Sequence, residues 1–541
     1  MASVHSDGKS FKSQVGKTIF EYADFLNIRV PTACGRTGEC HECIVEIRNG
    51  LESLSPLSES ESFLRGNYRL ACQAKVVADN NDIEFATLRR QPKILTDSIS
   101  RNVELDPSAT RIGDSVYIDN TEVSNLRNGI YGLAGDIGTT TIVLNIVDLE
   151  TGEIVLTSSF ENPQRFGGSD VMNRISYDGN DNTGELQHVM LSSINFEIGE
   201  MVKELAIHRR DIFDVVLVGN TTMRDILFGI NTQPIGEKPY KSKIQTEYES
   251  GTRCSTSLKV TAEELGLRVF PKAQVYSGPL VSCHIGSDVA ADMLATGFDE
   301  SETPIMLVDV GTNTEVIIGN KDGMFAASCP AGPAFEGGEV TYGMPGYDGA
   351  VESVKINSGK PKISTIGNAP VEGICGSGLV DLLAELKRSE IMNELGVLKN
   401  QEDQYYFAPD DDMALDRSDI SALAQAKSAN YCGQYIAMRT SEHNADDISV
   451  LYLAGGFANY IDAENAKAIG FIANFDSQKI VKAGNASLHG ATLMLVSKTL
   501  REKIETLVKN VDHIELETTP DFFDIFVEGC MFKPMPTSIH N

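Results

Sequence analysis

Residues 133–148, LAGDIGTTTIVLNIVD, run from an aliphatic segment through a Gly-Thr turn into a second aliphatic segment. Nearly the same text returns at residues 307–320, LVDVGTNTEVIIGN, with aspartate, aliphatic residue, glycine and threonine in the same order. Each copy predicts a strand, a tight turn and an antiparallel strand, followed by a second turn and a third strand. Two copies in register indicate an internal duplication.

A second pair of segments supports the duplication. DIFDVVLVGNTTM, residues 211–223, and DDISVLYLAGGFANY, residues 446–460, each carry an aliphatic strand into glycine. In both halves the Gly-Thr hairpin comes first and the strand-to-glycine unit follows. Two such halves facing across a cleft form the plan of the acetate kinase, sugar kinase, heat-shock and actin superfamily, which this region resembles. We expect a duplicated actin-like (ribonuclease H-type) ATPase domain of α/β class over residues 131–541, with halves at about 131–300 and 301–541.

The two Gly-Thr turns carry groups that suit nucleotide phosphates. A turn with Gly138 or Gly311 brings backbone N–H groups against phosphate oxygens, and the threonines that follow add hydroxyl donors. Asp136 and Asp309, at the ends of the preceding strands, can hold a hydrated Mg2+ and orient the attacking water, so we predict them to be catalytic. The later glycine pair leaves room for the nucleoside. The predicted ATP site comprises Gly138, Thr139, Thr140, Thr141, Gly311, Thr312, Asn313, Thr314, Gly376, Gly455 and Gly456.

Structural alternatives stay open at these positions. A duplicated fold that binds nothing would keep the same turns. GICGSGLVDLLAELKRS, residues 373–389, predicts a glycine turn entering an amphipathic helix, whose first N–H groups could contact the nucleotide or whose glycines could only allow close packing. Glu315 could position water or face solvent. SCPAGPAFEGGEVTYGMPG, residues 328–346, is a Gly/Pro-rich connection that could line the cleft or hinge it.

Four of the ten cysteines fall in the first 72 residues, at Cys34, Cys40, Cys43 and Cys72. Three ligands on one loop and a distant fourth are typical of a two-iron cluster, so we predict these thiolates to be the ligands of a 2Fe-2S cluster. Zinc sites usually combine C-x2-C with a second such pair or with histidines, and no second pair follows here. A zinc knuckle or free thiols remain the alternatives. We expect His41, inside the loop, to face solvent.

The flanks of the cysteine loop predict a small α+β domain. KSFKSQV and CIVEIRNG alternate like strands, KTIFEYADFLN has helical spacing, and DIEFATL closes as a further strand. Strand, helix, cysteine loop, strand and late cysteine look like a β-grasp ferredoxin of the C-x5-C type. We expect this domain at residues 1–88, and a polar linker with at most one short strand pair at residues 89–130.

The composition excludes several classes of function. The net charge of −30 and the pI of about 4.7 argue against a broad basic surface for nucleic acid or anionic lipid. No run approaches the roughly 18 apolar residues that span a bilayer. The N-terminal MASVHSDGKSFK lacks the apolar core of a signal peptide. We expect a cytoplasmic protein with no nucleic-acid or membrane partner.

The chain resembles, over nearly its full length, the reductive activators of corrinoid-dependent methyltransferases and O-demethylases, which are ferredoxin-ATPase fusions. The matching text is TACGRTGECHEC, GDIGTTTIVL, NPQRFGGSDVMNRI, LVDVGTNTEV, SCPAGPAFEG, GICGSGLVDLL and LYLAGGFANYI. The resemblance implies a 2Fe-2S cluster, ATP and Mg2+ as cofactors. It also implies ATP-dependent electron transfer to the Co(II) corrinoid of a methyltransferase corrinoid protein, restoring Co(I), with a low-potential donor supplying the electron.

One departure from the family is visible. Residues 89–130 leave little room for the separate middle domain that some members carry, so the resemblance leaves the oligomeric state, including a homodimer, undecided. Three alternative functions remain: an activator ATPase of another low-potential enzyme, similar to those of 2-hydroxyacyl-CoA dehydratases; a small-molecule kinase with a redox-sensing ferredoxin module; and a nucleotide-switched binding protein with no net catalysis. A bare ATPase would not need residues 1–88, which argues against the first alternative.

Overall fold

The computed structural model describes residues 2–88, 99–179, 182–399, 403–456 and 458–539. Within these ranges, the chain folds into a β-grasp domain, a small connecting sheet and two α/β halves. The predicted fold class, α+β followed by duplicated α/β, is confirmed. No helix in the same ranges is long and apolar enough to cross a bilayer.

The N-terminal domain is a five-stranded sheet with one helix. Thr18 begins the helix by accepting a hydrogen bond from the Glu21 N–H, and Asn27 ends it in the left-handed conformation, with φ of 55°. The elements are β1 (Ser3–Ser6), β2 (Lys9–Lys12), α1 (Ile19–Leu26), β3 (Ile44–Asn49), β4 (Tyr68–Leu70) and β5 (Ile83–Thr87). The sheet order β2-β1-β5-β3-β4 places the strand that leaves the cysteine loop beside the strand that leads to Cys72.

The segment between the domains holds more structure than the sequence predicts. Instead of at most one strand pair, it contains a three-stranded antiparallel meander, β6 (Ala109–Ile112), β7 (Ser115–Ile118) and β8 (Thr121–Asn125). The first ten residues of the predicted linker, 89–98, lie outside the described residues. The buried side chains of Val116 and Ile118 join the core of the following half, so this meander is packed against the ATPase region.

The first half carries a six-stranded sheet in the order β11-β10-β9-β12-β14-β13. The strand β12 is buried at every position, which suits a central parallel strand covered on both faces. The strands are β9 (Tyr131–Ile137), β10 (Thr141–Asp148), β11 (Ile154–Glu161), β12 (Ile212–Val218), β13 (Leu258–Thr261) and β14 (Gln274–Ser277). The helices are α2 (Val171–Asp178), α3 (Glu185–Glu204), α4 (Thr221–Leu227), α5 (Gln233–Gly236), α6 (Lys243–Glu249), α7 (Ala262–Leu265) and α8 (Ser287–Ala295).

The second half carries a six-stranded sheet in the order β24-β23-β15-β16-β17-β25, with small sheets β19-β18-β20 and β21-β22 beside it. The strands are β15 (Ile305–Val310), β16 (Thr314–Asn320), β17 (Gly323–Cys329), β18 (Ala350–Asn357), β19 (Lys360–Thr365), β20 (Gly373–Ile374), β21 (Gln404–Ala408), β22 (Met413–Asp416), β23 (Leu451–Ala454), β24 (Ile480–Gly484) and β25 (Val511–His513). The helices are α9 (Gly376–Arg388), α10 (Arg417–Thr440), α11 (Ala463–Ala468), α12 (Ala486–Val496), α13 (Lys498–Leu507) and α14 (Phe522–Gly529).

The two large sheets share one plan. The runs β11-β10-β9-β12-β14 and β17-β16-β15-β23-β24 have the same order and the same strand directions, with an antiparallel hairpin followed by two parallel strands. Helix α12 packs closely against α8. A Cβ on Gly490 would lie only 2.0 Å from the Ala291 carbonyl oxygen, so the absence of a side chain there permits the close approach. The duplication seen in the sequence is therefore a duplicated sheet, and the halves are joined through a tight helix pair.

Candidate cluster site and nucleotide cleft

The four predicted cluster cysteines lie at one end of the N-terminal sheet. Because β3 pairs with β4, the Ala71 N–H donates to the Cys43 carbonyl oxygen at 2.8 Å. The same pairing brings Cys43 Sγ within 3.4 Å of Cys72 Sγ, and both thiols are buried. Cys34 and Cys40, on the loop, are partly exposed. Sheet pairing therefore joins the distant fourth cysteine to the loop.

The cysteines form two pairs. Cys43 contacts Cys72, and the thiols of Cys34 and Cys40 interact with each other. Among the described residues, no three His, Cys, Asp or Glu side chains converge on a point that could hold a single ion. A 2Fe-2S cluster shares its four cysteine ligands between two irons, so paired thiols suit it better than they suit a one-ion zinc site.

The loop also favours thiolates at some of these positions. Burial opposes ionisation of Cys34, but hydrogen bonds, first of all from Thr37, lower the pKa of its thiol to about 5. The hydrogen bond between Cys43 and Cys72 raises the pKa of Cys43 and lowers that of Cys72 to about 7. Gly38 has φ of 92°, a conformation that favours glycine, and lets the loop turn there.

The cysteine loop is docked on the first half of the ATPase region. His41 Nδ1 donates to Glu185 Oε2 at 2.9 Å, and its ring stacks on Phe63 at 4.1 Å between centroids. His188 Nε2 donates to the Cys40 carbonyl oxygen at 2.9 Å. The expectation that His41 faces solvent is wrong, since its side chain is only 19% exposed. Its partner lies at the start of α3, far away in sequence.

A cleft of about 580 Å3 lies between the two halves. Both Gly-Thr hairpins line it, as do the start of α9, the glycines that follow β23 and the start of α12. Of the predicted site residues, it is lined by Asp136, Gly138, Thr139, Thr140, Thr141, Asp309, Gly311, Thr312, Asn313, Gly376, Gly455 and Gly456. Thr314 is fully buried and is not among the lining residues, whereas the neighbouring Glu315 is.

Several acidic side chains of the described residues lie near one another at the cleft, without converging on a single point. Burial, reinforced by the charge of Asp309, raises the pKa of Asp136 to about 7, although Asn485 donates to Asp136 Oδ2 at 2.9 Å. Burial likewise raises the pKa of Asp309 to about 6 and, with the charge of Asp136, that of Asp288 to about 8. The pKa of Asp292 is also raised, by burial and by Asp309. Such a group calls for a cation when its members ionise.

The donor set fits Mg2+ bound together with a nucleotide. Mg2+ usually takes one or two carboxylates and completes its shell with waters and substrate phosphates. Asp136 and Asp309 lie at the ends of β9 and β15, beside the turns whose N–H groups would meet those phosphates. A complete protein cage is not required. Asp136 and Asp309 would be the residues that hold the ion and orient water, and this role stays a prediction.

The two glycines after β23 differ in what surrounds them. A Cβ on Gly455, which has φ of 102°, would lie 2.2 Å from the Val310 carbonyl oxygen. Gly455 is therefore required by the close approach of two backbones beside Asp309. Gly456 borders open space on the cleft side, since, apart from its own chain neighbours, no atom of the described residues lies within 4 Å of the position that a Cβ would take there. Only Gly456 matches the predicted role of leaving room for a nucleoside.

Sequence reasoning missed three residues that organise the cleft. Asn485 caps the N-terminus of α12 and donates a hydrogen bond to Asp136. The sequence around it, GNASLHG, is the only local pattern that could have indicated this role. Glu336 accepts hydrogen bonds from the hydroxyls of Thr140 and Thr312, and it lies in the Gly/Pro-rich connection that the sequence left undecided. Arg174, in NPQRFGGSDVMNRI, is fully buried. All three depend on long-range contacts.

Helix α2 connects the cleft to the cluster domain. The guanidinium of Arg174 donates to the Thr139 carbonyl oxygen at 2.6 Å and to Gln164 Oε1 at 3.1 Å. Burial lowers the pKa of Arg174 to about 9. Less than one turn further on, the Tyr177 hydroxyl donates to the Phe63 carbonyl oxygen at 2.6 Å. One rigid helix thus contacts both a phosphate turn and the ferredoxin-type domain.

Comparisons with known proteins agree with this geometry. Residues 4–77 match the 2Fe-2S iron-sulfur cluster binding domain, residues 131–301 the RACo middle region, and residues 303–540 the C-terminal domain of RACo, the ASKHA domain. The chain is 27% identical to the corrinoid activation enzyme RamQ of Eubacterium limosum, covering 94% of this chain and 95% of that protein. It is 24% identical to the [Co(II) methylated amine-specific corrinoid protein] reductase of Methanosarcina barkeri, covering 74% and 76%.

A solved structure matches the whole chain. The reductive activator for corrinoid,iron-sulfur protein superposes with a TM-score of 0.71 at 27% identity, over 100% of this chain and 99% of that one. The fold and both sites define a 2Fe-2S protein fused to an ASKHA-type ATPase. The chain belongs to the family of reductive activators of corrinoid proteins. The family's middle region corresponds to the first half described above, so the short segment 89–130 does not mean that this region is missing.

Proposed function

We propose that this protein is an ATP-dependent reductive activator, which passes one electron through a 2Fe-2S cluster to the Co(II) corrinoid of a methyltransferase corrinoid protein and so restores Co(I). The observation that carries the proposal is the union, in one chain, of a four-cysteine site and a nucleotide cleft that are joined by α2. A small-molecule kinase would use that union only for redox sensing. The relatives are named for corrinoid activation and reduction, which supports the proposed acceptor.

The energetics explain why a cluster and an ATPase belong together. A cluster on these cysteines would supply one-electron transfer. Uphill one-electron transfer costs about 1.4 kcal/mol for each 59 mV, so a gap of a few hundred millivolts amounts to several kcal/mol. Binding of MgATP between the hairpins would draw the halves together through the Gly138 and Gly311 turns, and a difference in closure between ATP and ADP could change the affinity for the corrinoid partner.

Further parts of the proposal concern cofactors and partners. We propose Mg2+ at Asp136 and Asp309, a low-potential electron donor for the cluster, and a cytoplasmic location with no nucleic-acid or membrane partner. The strong negative charge of the chain, −30, suits a corrinoid protein with a complementary basic patch. A homodimer remains a proposal, tested by light scattering of the holoprotein.

The decisive experiment is reduction of a corrinoid protein with MgATP, with MgADP and with neither. Given a low-potential reductant, the Co(I) absorbance band should grow only with MgATP, because the cleft is the energy source that this chain offers. Removal of residues 1–88 should abolish reduction while nucleotide binding remains. Equal reduction under all three conditions would overturn the proposal. Phosphorylation of a sugar or carboxylate would favour the kinase alternative.

Tyr177→Phe tests whether α2 couples the two sites. The variant loses the hydroxyl bond to Phe63 and keeps the ring, so the helix should stay folded. Since a neutral hydrogen bond is worth about 1 kcal/mol, we expect about fivefold less corrinoid reduced per ATP hydrolysed, with ATP hydrolysis itself nearly unchanged. Tyr248→Phe, a half-buried tyrosine of α6, is the control. An unchanged ratio would exclude this route of coupling.

A further inference from the structure

Glu336 joins the two halves of the cleft at the point where they carry their phosphate turns. Thr140 Oγ1, in the first half, donates to Glu336 Oε2 at 3.1 Å. Thr312 Oγ1, in the second half, donates to the same oxygen at 2.7 Å. The Thr140 bond crosses the cleft between residues 196 positions apart. One carboxylate oxygen therefore occupies one hydroxyl from each of the two turns that would meet a nucleotide.

The carboxylate is held in place by a rigid turn. Glu336 ends a short 3-10 helix, Ala334–Glu336, and Gly337 follows it with φ of 86°. A Cβ on Gly337 would lie 2.3 Å from the Met344 backbone nitrogen, so this turn accepts only glycine without rearrangement. Glu336 itself lines the cleft. The connection after β17 therefore fixes the backbone of Glu336, and the two threonine hydroxyls hold its carboxylate.

The electrostatics make this contact a competitor of phosphate. Burial raises the pKa of Glu336, while the two threonine hydroxyls oppose that shift, so these bonds stabilise the ionised form. The negative charge of Glu336 contributes to the raised pKa of Asp309. The Glu336 carboxylate therefore lies close to the predicted Mg2+ and phosphate site. An anion that enters between the same turns needs the same donors and is repelled by the same carboxylate.

Resting on the proposed ATPase function, we propose that Glu336 is a positioning residue that acts through Thr140 and Thr312. Its carboxylate bridges the two phosphate turns, and the nucleotide phosphates take over the Thr140 and Thr312 hydroxyls when they bind. The cleft therefore exchanges one anion for another between the same two turns. Nucleotide affinity is set in part by this internal competitor, and only the phosphate end of the nucleotide competes with it.

The test is calorimetric titration of the holoprotein at pH 8 with magnesium AMP-PNP and, separately, with adenosine. Glu336→Gln removes the charge and keeps the shape, so it should bind AMP-PNP about tenfold more tightly and adenosine unchanged. Glu339→Gln, an exposed carboxylate nearby, is the matched control and should bind both like the wild type. In a Thr140→Val background the gain from Glu336→Gln should shrink, because one of the contested hydroxyls is gone.

The outcomes separate this inference from the proposed function. Equal or weaker AMP-PNP binding by Glu336→Gln would overturn the inference, as would a similar gain for adenosine or a full gain in the Thr140→Val background. Thermal denaturation of each variant checks that the fold is intact. A wild-type protein that binds no AMP-PNP at all would instead overturn the proposed nucleotide cleft. A phosphate-specific gain that depends on Thr140 supports the exchange.

Discussion

Cys72→Ser should lose most of the iron and sulfide that the wild-type protein holds, which we expect to be two of each per chain. Cys43 and Cys72 form one buried pair, and a hydroxyl is a poor substitute for a thiolate on iron. Cys34→Ser, Cys40→Ser and Cys43→Ser should have the same effect. The measurement is iron and sulfide content after anaerobic purification, with the S = 1/2 signal of the reduced cluster by electron paramagnetic resonance.

The control for the cysteine series is Cys254→Ser. Cys254 is an exposed cysteine of the first half, so its loss should leave iron content and the resonance signal unchanged. Full cluster content in Cys72→Ser would mean that another residue is the fourth ligand. Zinc in place of iron in the wild-type protein would contradict the cluster assignment as a whole.

Asp309→Asn should lower ATP hydrolysis by about 100-fold or more, because it removes a charge aimed at Mg2+ and the attacking water. Asp136→Asn should act in the same direction. Both side chains lie at strand ends beside the phosphate turns. Burial raises the pKa of Asp309 to about 6 and that of Asp136 to about 7, so the assay belongs at pH 8, where both carboxylates are ionised.

The pH dependence follows from the same two groups. Ionised carboxylates are the forms that bind Mg2+, so wild-type hydrolysis should decline as the pH falls from 8 through 7 to 6 and the two groups take up protons. Asp322→Asn, in the exposed turn at the far end of the β16-β17 hairpin, is the matched control and should hydrolyse ATP normally. Cluster content should stay intact in all three variants. Normal hydrolysis in both Asp309→Asn and Asp136→Asn would make the duplicated turns purely structural.

Features that depend on local chemistry could be predicted from the sequence. A Gly-Thr turn after an aliphatic strand specifies a hairpin by turn geometry alone, and its repetition indicated the duplicated sheet. The spacing of Cys34, Cys40 and Cys43 predicted a ligand loop, because ligands on one loop are neighbours in the chain. Side-chain alternation along β16 puts Thr314 and Glu315 on opposite faces, so only one of these neighbours lines the cleft.

The tertiary structure alone decided which distant residues complete the sites. Glu336 meets Thr140, Asn485 meets Asp136, and the loop residue His41 is drawn to the start of α3. None of these contacts is indicated by periodicity or residue spacing in the sequence, since each joins segments that only the packed sheets and helices bring together. The sequence by itself therefore determined the chemistry of the two sites. Folding determined how they are connected, because contacts between distant segments arise only when each half has buried its core.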